Sequence, residues 1–120
     1  MDTPLLVLTT APDAETAHRL ATLAVKARLA ACANILGPAT ALYHWEGRIE
    51  ENHEVPLLLK TRTQCYTALE ALLRAEHPYT VPEIIALPIT QGLPDYLAWI
   101  AAETRPPAAP PLSSSSCTNG

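Results

Sequence analysis

Phenylalanine is absent from the 120 residues, and glycine appears only 4 times and cysteine 3 times. With no Phe, 4 Tyr and 2 Trp, the core must be built from Ala, Leu, Ile and Val, which allow close approach of helix to sheet but bury modest area each. A core that thin gains from oligomerisation. The scarcity of glycine goes with the absence of a GxGxxG, Walker or GxSxG motif, so phosphate-cradling loops and a nucleophile elbow are not expected. Cys32, Cys65 and Cys117 form no CxxC pair and no structural zinc set, and reduced thiols are the expectation.

Positive charge is also short: 8 Lys and Arg stand against 12 Asp and Glu, for a formal charge of -4. Without a basic cluster the chain lacks the footprint of phosphate binding, and nucleic acid is not an expected partner. No apolar run approaches the ~20 residues of a bilayer span, and no basic segment precedes a hydrophobic one near Met1. A cytoplasmic protein without a membrane partner is the expectation.

What is present is proline, 12 residues of it. The last stretch, RPPAAPPLSSSSCTNG from Arg105 to Gly120, has almost nothing to bury and reads as a disordered Pro/Ser-rich tail over 105–120, with Cys117 an incidental thiol. One domain is expected over 1–104.

Within that domain the apolar run Leu5 to Thr10 suits a strand. Asp13 then caps a helix whose stripe is Ala17, Leu20, Ala21, Ala24 and Ala27. Cys32 to Trp45, broken at Gly37 and Pro38, and Ile49 to Thr61 make a long hairpin, with a turn signal at Glu46, Gly47 and Arg48. Thr63 opens a second helix carrying Tyr66, Leu69, Leu72 and Leu73, stopped by His77 and Pro78. Pro82 to Thr90 reads as a buried strand in which Pro88 demands an edge or a bulge. Asp95 to Glu103 is a short helix with Tyr96, Trp99 and Ile100 on one face.

The order β, α, β, β, α, β, α is that of an α+β, ferredoxin-like split βαβ sandwich with a C-terminal helix. Hairpin arms of ~13 residues exceed the ~5 to 6 of ordinary strands, so their outer half projects beyond the sheet. Pro56, His53 and Glu54 blunt that edge only partly, and pairing with other copies in a closed ring would hide it.

Candidate chemistry is sparse. A turn at Gly47 and Arg48 would put His44 and His53 diagonally ~7 to 8 Å apart with Glu51 between them, at most a weak cation site. Cys32 reads either as a small core residue or as a soft ligand whose partners the linear sequence does not reveal. His77, Tyr79 and Glu83, in a loop stiffened by Pro78 and Pro82, join a titratable ring, a phenol and a carboxylate. No nucleophile accompanies His77 and Glu83, so a hydrolase is the weakest reading, and no enzymatic activity is expected.

Five segments in register resemble one family: LAACANI at 29–35, YHWEG at 43–47, LKT at 59–61, HPYTVPEIIALPI at 77–89 and YLAWI at 96–100. Together they are similar to the CutA divalent-cation tolerance proteins over about Leu5 to Ile100. The resemblance implies a ferredoxin-like subunit in a tight homotrimer of PII-like architecture, a response to metal ions and weak binding of copper or another divalent cation, with no required cofactor. It implies that Tyr43, Trp45, Glu54, Lys60, His77, Tyr79, Glu83 and Trp99 line or buttress clefts between subunits. Cys32 matches a cysteine suspected as a metal ligand in the family. Thr9 and Leu72 stand where some members carry further cysteines, so a thiolate-rich copper site is not expected; the candidate metal ligands are His77, Glu83 and Cys32, with surface His and carboxylates as alternatives. The alternative that PII-like architecture suggests is a sensor of a small anionic metabolite, with charge from Lys60 and Arg62.

Overall fold

The computed structural model describes residues 2–108. Cys117 and most of the 105–120 tail therefore lie outside the described residues. Eight elements follow one another: β1 (Pro4–Ala11), α1 (Ala14–Lys26), β2 (Cys32–Ile35), β3 (Ala39–Trp45), β4 (Arg48–Arg62), α2 (Thr63–Glu76), β5 (Ile84–Pro88) and α3 (Pro94–Ala102). The sheet runs β2-β4-β1-β5 and is antiparallel throughout, with β3 pairing the outer part of β4. This is the expected α+β sandwich.

Alternation along β4 sets the two faces of the sheet. Val55, Leu57, Leu59 and Thr61 point to the helices and are buried, as are Val7, Thr9 and Ala11 of β1 beside them. Ala17, Leu20, Ala21 and Ala24 of α1 and Cys65, Leu69 and Leu73 of α2 close that core. Small alanines on α1 let its backbone approach the strands, which is how a chain without Phe still packs. Asp13 caps α1 as expected, accepting from the Thr16 N–H at 2.7 Å. Ala27 falls on the C-cap and is exposed, because the helix ends one residue before the stripe does.

The opposite face carries Leu6, Leu8, Leu58, Ile85 and Leu87, and among the described residues no helix covers them. Ile85 and Leu87 are 47% and 50% exposed. Short α3 packs only across the Pro4–Arg62 end of the sheet, burying Ile100. Arg62 fixes it there by donating from Nε to the Thr104 hydroxyl at 2.7 Å and pairing Asp2 at 2.8 Å. Pro88 sits on edge strand β5, where its missing N–H breaks no inner ladder.

The long hairpin is present, and its shape differs from the expectation in one respect. Its first arm is split: β2 pairs Cys32 with Lys60, whereas β3 pairs Ala39 with Glu54. Three residues, Leu36 to Pro38, thus stand opposite two, Val55 and Pro56, which is a bulge. Leu36 N–H still bonds the Pro56 carbonyl at 2.9 Å. Pro56 places its missing donor on the same side, where the bulge has already interrupted the ladder.

The turn is tighter than expected. Trp45 faces Arg48 across a two-residue loop in which Glu46 and Gly47 both have positive φ, 52° and 79°. That is the geometry whose twist suits a hairpin. Beyond Val55, β4 loses β1 as a neighbour, so among the described residues no strand pairs the edge of Arg48 to Glu54 away from β3. The arm's reach shows in a radius of gyration of 16.2 Å, against about 13 Å for a compact domain of this size.

Candidate functional site

Where the projecting arm leaves the sandwich, a cleft of about 600 Å³ opens between the hairpin and the loop after α2. The hairpin contributes Tyr43, Trp45, Asn52 and Glu54, the loop contributes Pro78 to Val81 and Glu83, and Thr10 of β1 lies at the junction. Tyr43 accepts a hydrogen bond from the Asn52 amide, which holds the phenol against the β4 arm.

The loop wall is held by His77. This residue is buried, and both ring nitrogens are engaged: Nε2 lies 2.6 Å from the Thr10 carbonyl, and Nδ1 lies 3.1 Å from the Tyr79 N–H. A carbonyl can only accept and a backbone N–H can only donate, so the proton sits on Nε2 and the Nδ1 lone pair is occupied. The imidazole also packs on the Tyr79 ring, centroids 4.8 Å apart. His77 therefore positions Tyr79 and has no free lone pair for a metal.

Tyr79 in turn reaches Glu54. Burial first, then the Glu54 carboxylate, with smaller contributions from Tyr43 and Asp13, raise the Tyr79 phenol above its ordinary value. It stays protonated throughout the range in which proteins are normally studied and can donate to Glu54.

The expected site residues thus divide. Tyr43, Trp45, Glu54, Tyr79 and Glu83 line one cleft, with His77 behind its wall. Lys60, Trp99 and Cys32 do not line it. Lys60 stands across from Cys32 on the inner sheet, donating to Asn34 and lying 3.9 Å from the Cys32 sulfur. Trp99 stacks on Tyr96 at 5.5 Å on α3, and both are about 40% exposed, so the expected apolar face of that helix buries only Ile100.

Three expectations need correction. Within one chain His77, Glu83 and Cys32 do not converge, since Cys32 is not part of the cleft that Glu83 lines, and among the described residues no group of three His, Cys, Asp or Glu could hold a metal ion. His44 and His53 are not diagonal neighbours, because the turn lies one residue earlier: His44 faces Ile49, and His53 faces Thr40, 3.4 Å from its hydroxyl. The positive charge expected for an anion is elsewhere, since Arg62 is tied to Asp2 and Thr104 and Lys60 to Asn34. Thr10, Asn52 and Thr80 were not anticipated. Alternation along β4, which puts Asn52 two residues from Glu54 on the same side of the arm, is the one signal that could have singled one of them out.

Residues 5–103 match the model of the CutA1 divalent ion tolerance protein family. The chain belongs to that family. Among its CutA relatives, the divalent-cation tolerance protein CutA of Escherichia coli O45:K1 is 46% identical over 103 residues, covering 86% of this chain and 92% of its own. The solved divalent cation tolerance protein (Cut A1) of Thermus thermophilus superposes with a TM-score of 0.83 at 44% identity, covering 85% and 99% of the two chains. The CutA of Archaeoglobus fulgidus, described as a periplasmic divalent cation tolerance protein, does so at 0.81 and 37% identity, covering 83% and 97%. The CutA1 match spans both walls of the cleft. Among the described residues no helix is long and apolar enough to cross a membrane.

Proposed function

We propose that this chain acts in the response to metal ions as a homotrimer, and that it holds copper or another divalent cation weakly in the cleft beneath the hairpin. One observation carries the reading: Glu54 from the arm and Glu83 from the loop line the same cavity from opposite sides. Two carboxylates in partial contact with water give modest affinity, and the remaining positions of a coordination sphere fall to water or to groups of another copy.

Two features support the trimer. The sheet face bearing Leu6, Leu8, Leu58, Ile85 and Leu87 has no cover among the described residues, and the arm leaves a strand edge without a partner there. A ring of copies shields both. The free thiols of Cys32 and Cys65 suit a reducing compartment, the cytoplasm.

Calorimetric titration with copper and with zinc tests the site, alongside sedimentation of the same samples. Glu54→Gln and Glu83→Gln should each weaken binding, and His77→Gln should lower stability without abolishing binding. Unchanged affinity in both carboxamide variants would remove the metal from this cleft. A single chain at low micromolar concentration would rule out the trimer.

A further inference from the structure

The same cleft has a composition that a bare metal ion does not require. Three aromatic rings, Tyr43, Trp45 and Tyr79, line it together with Glu54 and Glu83. None of the described residues lining it is Lys, Arg or His. Tyr43 and Trp45 alternate onto one face of β3, and Asn52 and Glu54 occupy the matching face of β4, so rings and carboxylate are side by side. Tyr43 and Trp45 remain 37% and 51% exposed, and neither stacks on another ring among the described residues.

We propose that this cleft binds a small organic ammonium ion, a quaternary or tertiary amine, between the aromatic faces and the two carboxylates. A large, weakly hydrated cation is attracted to the electron-rich faces of Trp and Tyr and needs no closed set of ligand atoms. A metal here would have to complete its coordination with water or another copy, because the described residues of one chain supply no group of three His, Cys, Asp or Glu. The cavity of about 600 Å³ falls within the ~300 to 1,000 Å³ of small-molecule sites and leaves room for the cation and its substituent. Glu54, which after burial is the next cause of the raised Tyr79 phenol, is also the carboxylate that the ammonium would neutralise. Glu54 and Glu83 would then serve by charge and not by coordination. The inference rests on the metal-ion reading only for the location of the site.

The test uses the full chain in its native assembly, with EDTA present so that metal binding plays no part. Tetramethylammonium and choline are titrated while their N-methyl proton resonances are followed, and 3,3-dimethylbutan-1-ol serves as the uncharged isostere of choline. Saturable binding with an upfield shift is expected, about tenfold tighter for choline than for the alcohol. Trp45→Leu, a change at an exposed hairpin position, should abolish the upfield shift, and Glu54→Gln should weaken choline severalfold while leaving the alcohol unaffected. Equal binding of choline and the alcohol would overturn the proposal, as would no saturation at tens of millimolar or a shift that survives Trp45→Leu. Because EDTA is present, these outcomes leave the metal titrations to stand or fall separately.

Discussion

Strand β4 lives in two environments. From Val55 to Thr61 every second side chain is buried between sheet and helices, and the strand has neighbours on both sides. From Arg48 to Glu54 nothing is fully buried, β3 is the sole strand neighbour among the described residues, and Ile49 on this segment is 71% exposed. The backbone conformation is continuous through both. The first half is therefore held by side-chain packing in its own chain, and the second by a hairpin ladder and by whatever settles against it. Stability is thus concentrated at one end of the strand, and the cleft proposed for binding lies at the other.

The strongest way to break this contrast is to delete the same atoms at each end. Leu57→Ala, at a fully buried position, should cost about 2 to 5 kcal/mol in denaturant unfolding, from lost transfer energy and the cavity left behind. Leu42→Ala, on β3 across from Glu51 of the outer half of β4 and 67% exposed, leaves no void in its own chain and should stay within about 0.5 kcal/mol once the sample is diluted to dissociation. Similar losses at both sites under those conditions would mean that the arm has a core within the chain.

A smaller effect sharpens the inner half. The Thr9 hydroxyl is buried without a hydrogen-bond partner among the described residues, facing Leu57 and Ile84 across the sheet. Thr9→Val keeps the shape and removes the unpaired group, so a gain of about 1 kcal/mol is expected by thermal or chemical unfolding. A loss would show that the hydroxyl has a partner such as bound water.

The smallest effect belongs to the hairpin tip. Glu46 holds a positive φ of 52° ahead of Gly47, a position that Asn tolerates better. Glu46→Asn should stabilise by about 0.5 kcal/mol, seen as a small rise in the unfolding midpoint with no change in cleft binding.

Much of this was legible because periodicity is local. The stripe of Ala17, Leu20, Ala21 and Ala24 states its face outright, and Pro88 announces an edge, whereas Leu57, Leu58 and Leu59 run together and hide which face of β4 is buried. The hairpin register was not legible, because Glu is an unusual residue for the left-handed position at 46, and misplacing the turn by one residue moved every cross-strand partner by two. The candidate site was legible as residues and not as roles. His77 has the chemistry of a ligand, but whether its nitrogens are free depends on the Thr10 carbonyl, 67 positions away. Cys32 and Trp99 are similarly decided by where β2 and α3 dock, which no local pattern specifies.

The bulge from Leu36 to Pro38 reconciles two ladders that would otherwise clash. The inner ladder sets even-numbered residues of the first arm beside even-numbered residues of β4, as Cys32 sits beside Lys60. The two-residue turn sets odd beside even, so Tyr43 and Trp45 share a side with Asn52 and Glu54. The one supernumerary residue absorbs the mismatch. Excising Gly37 would leave Ile35 opposite Leu57 and Ala39 opposite Glu54 in one unbroken ladder, so the rings would keep their side and the ribbon would lose its kink. A single extra link thus works as a joint, setting the angle at which the arm departs without altering what it displays.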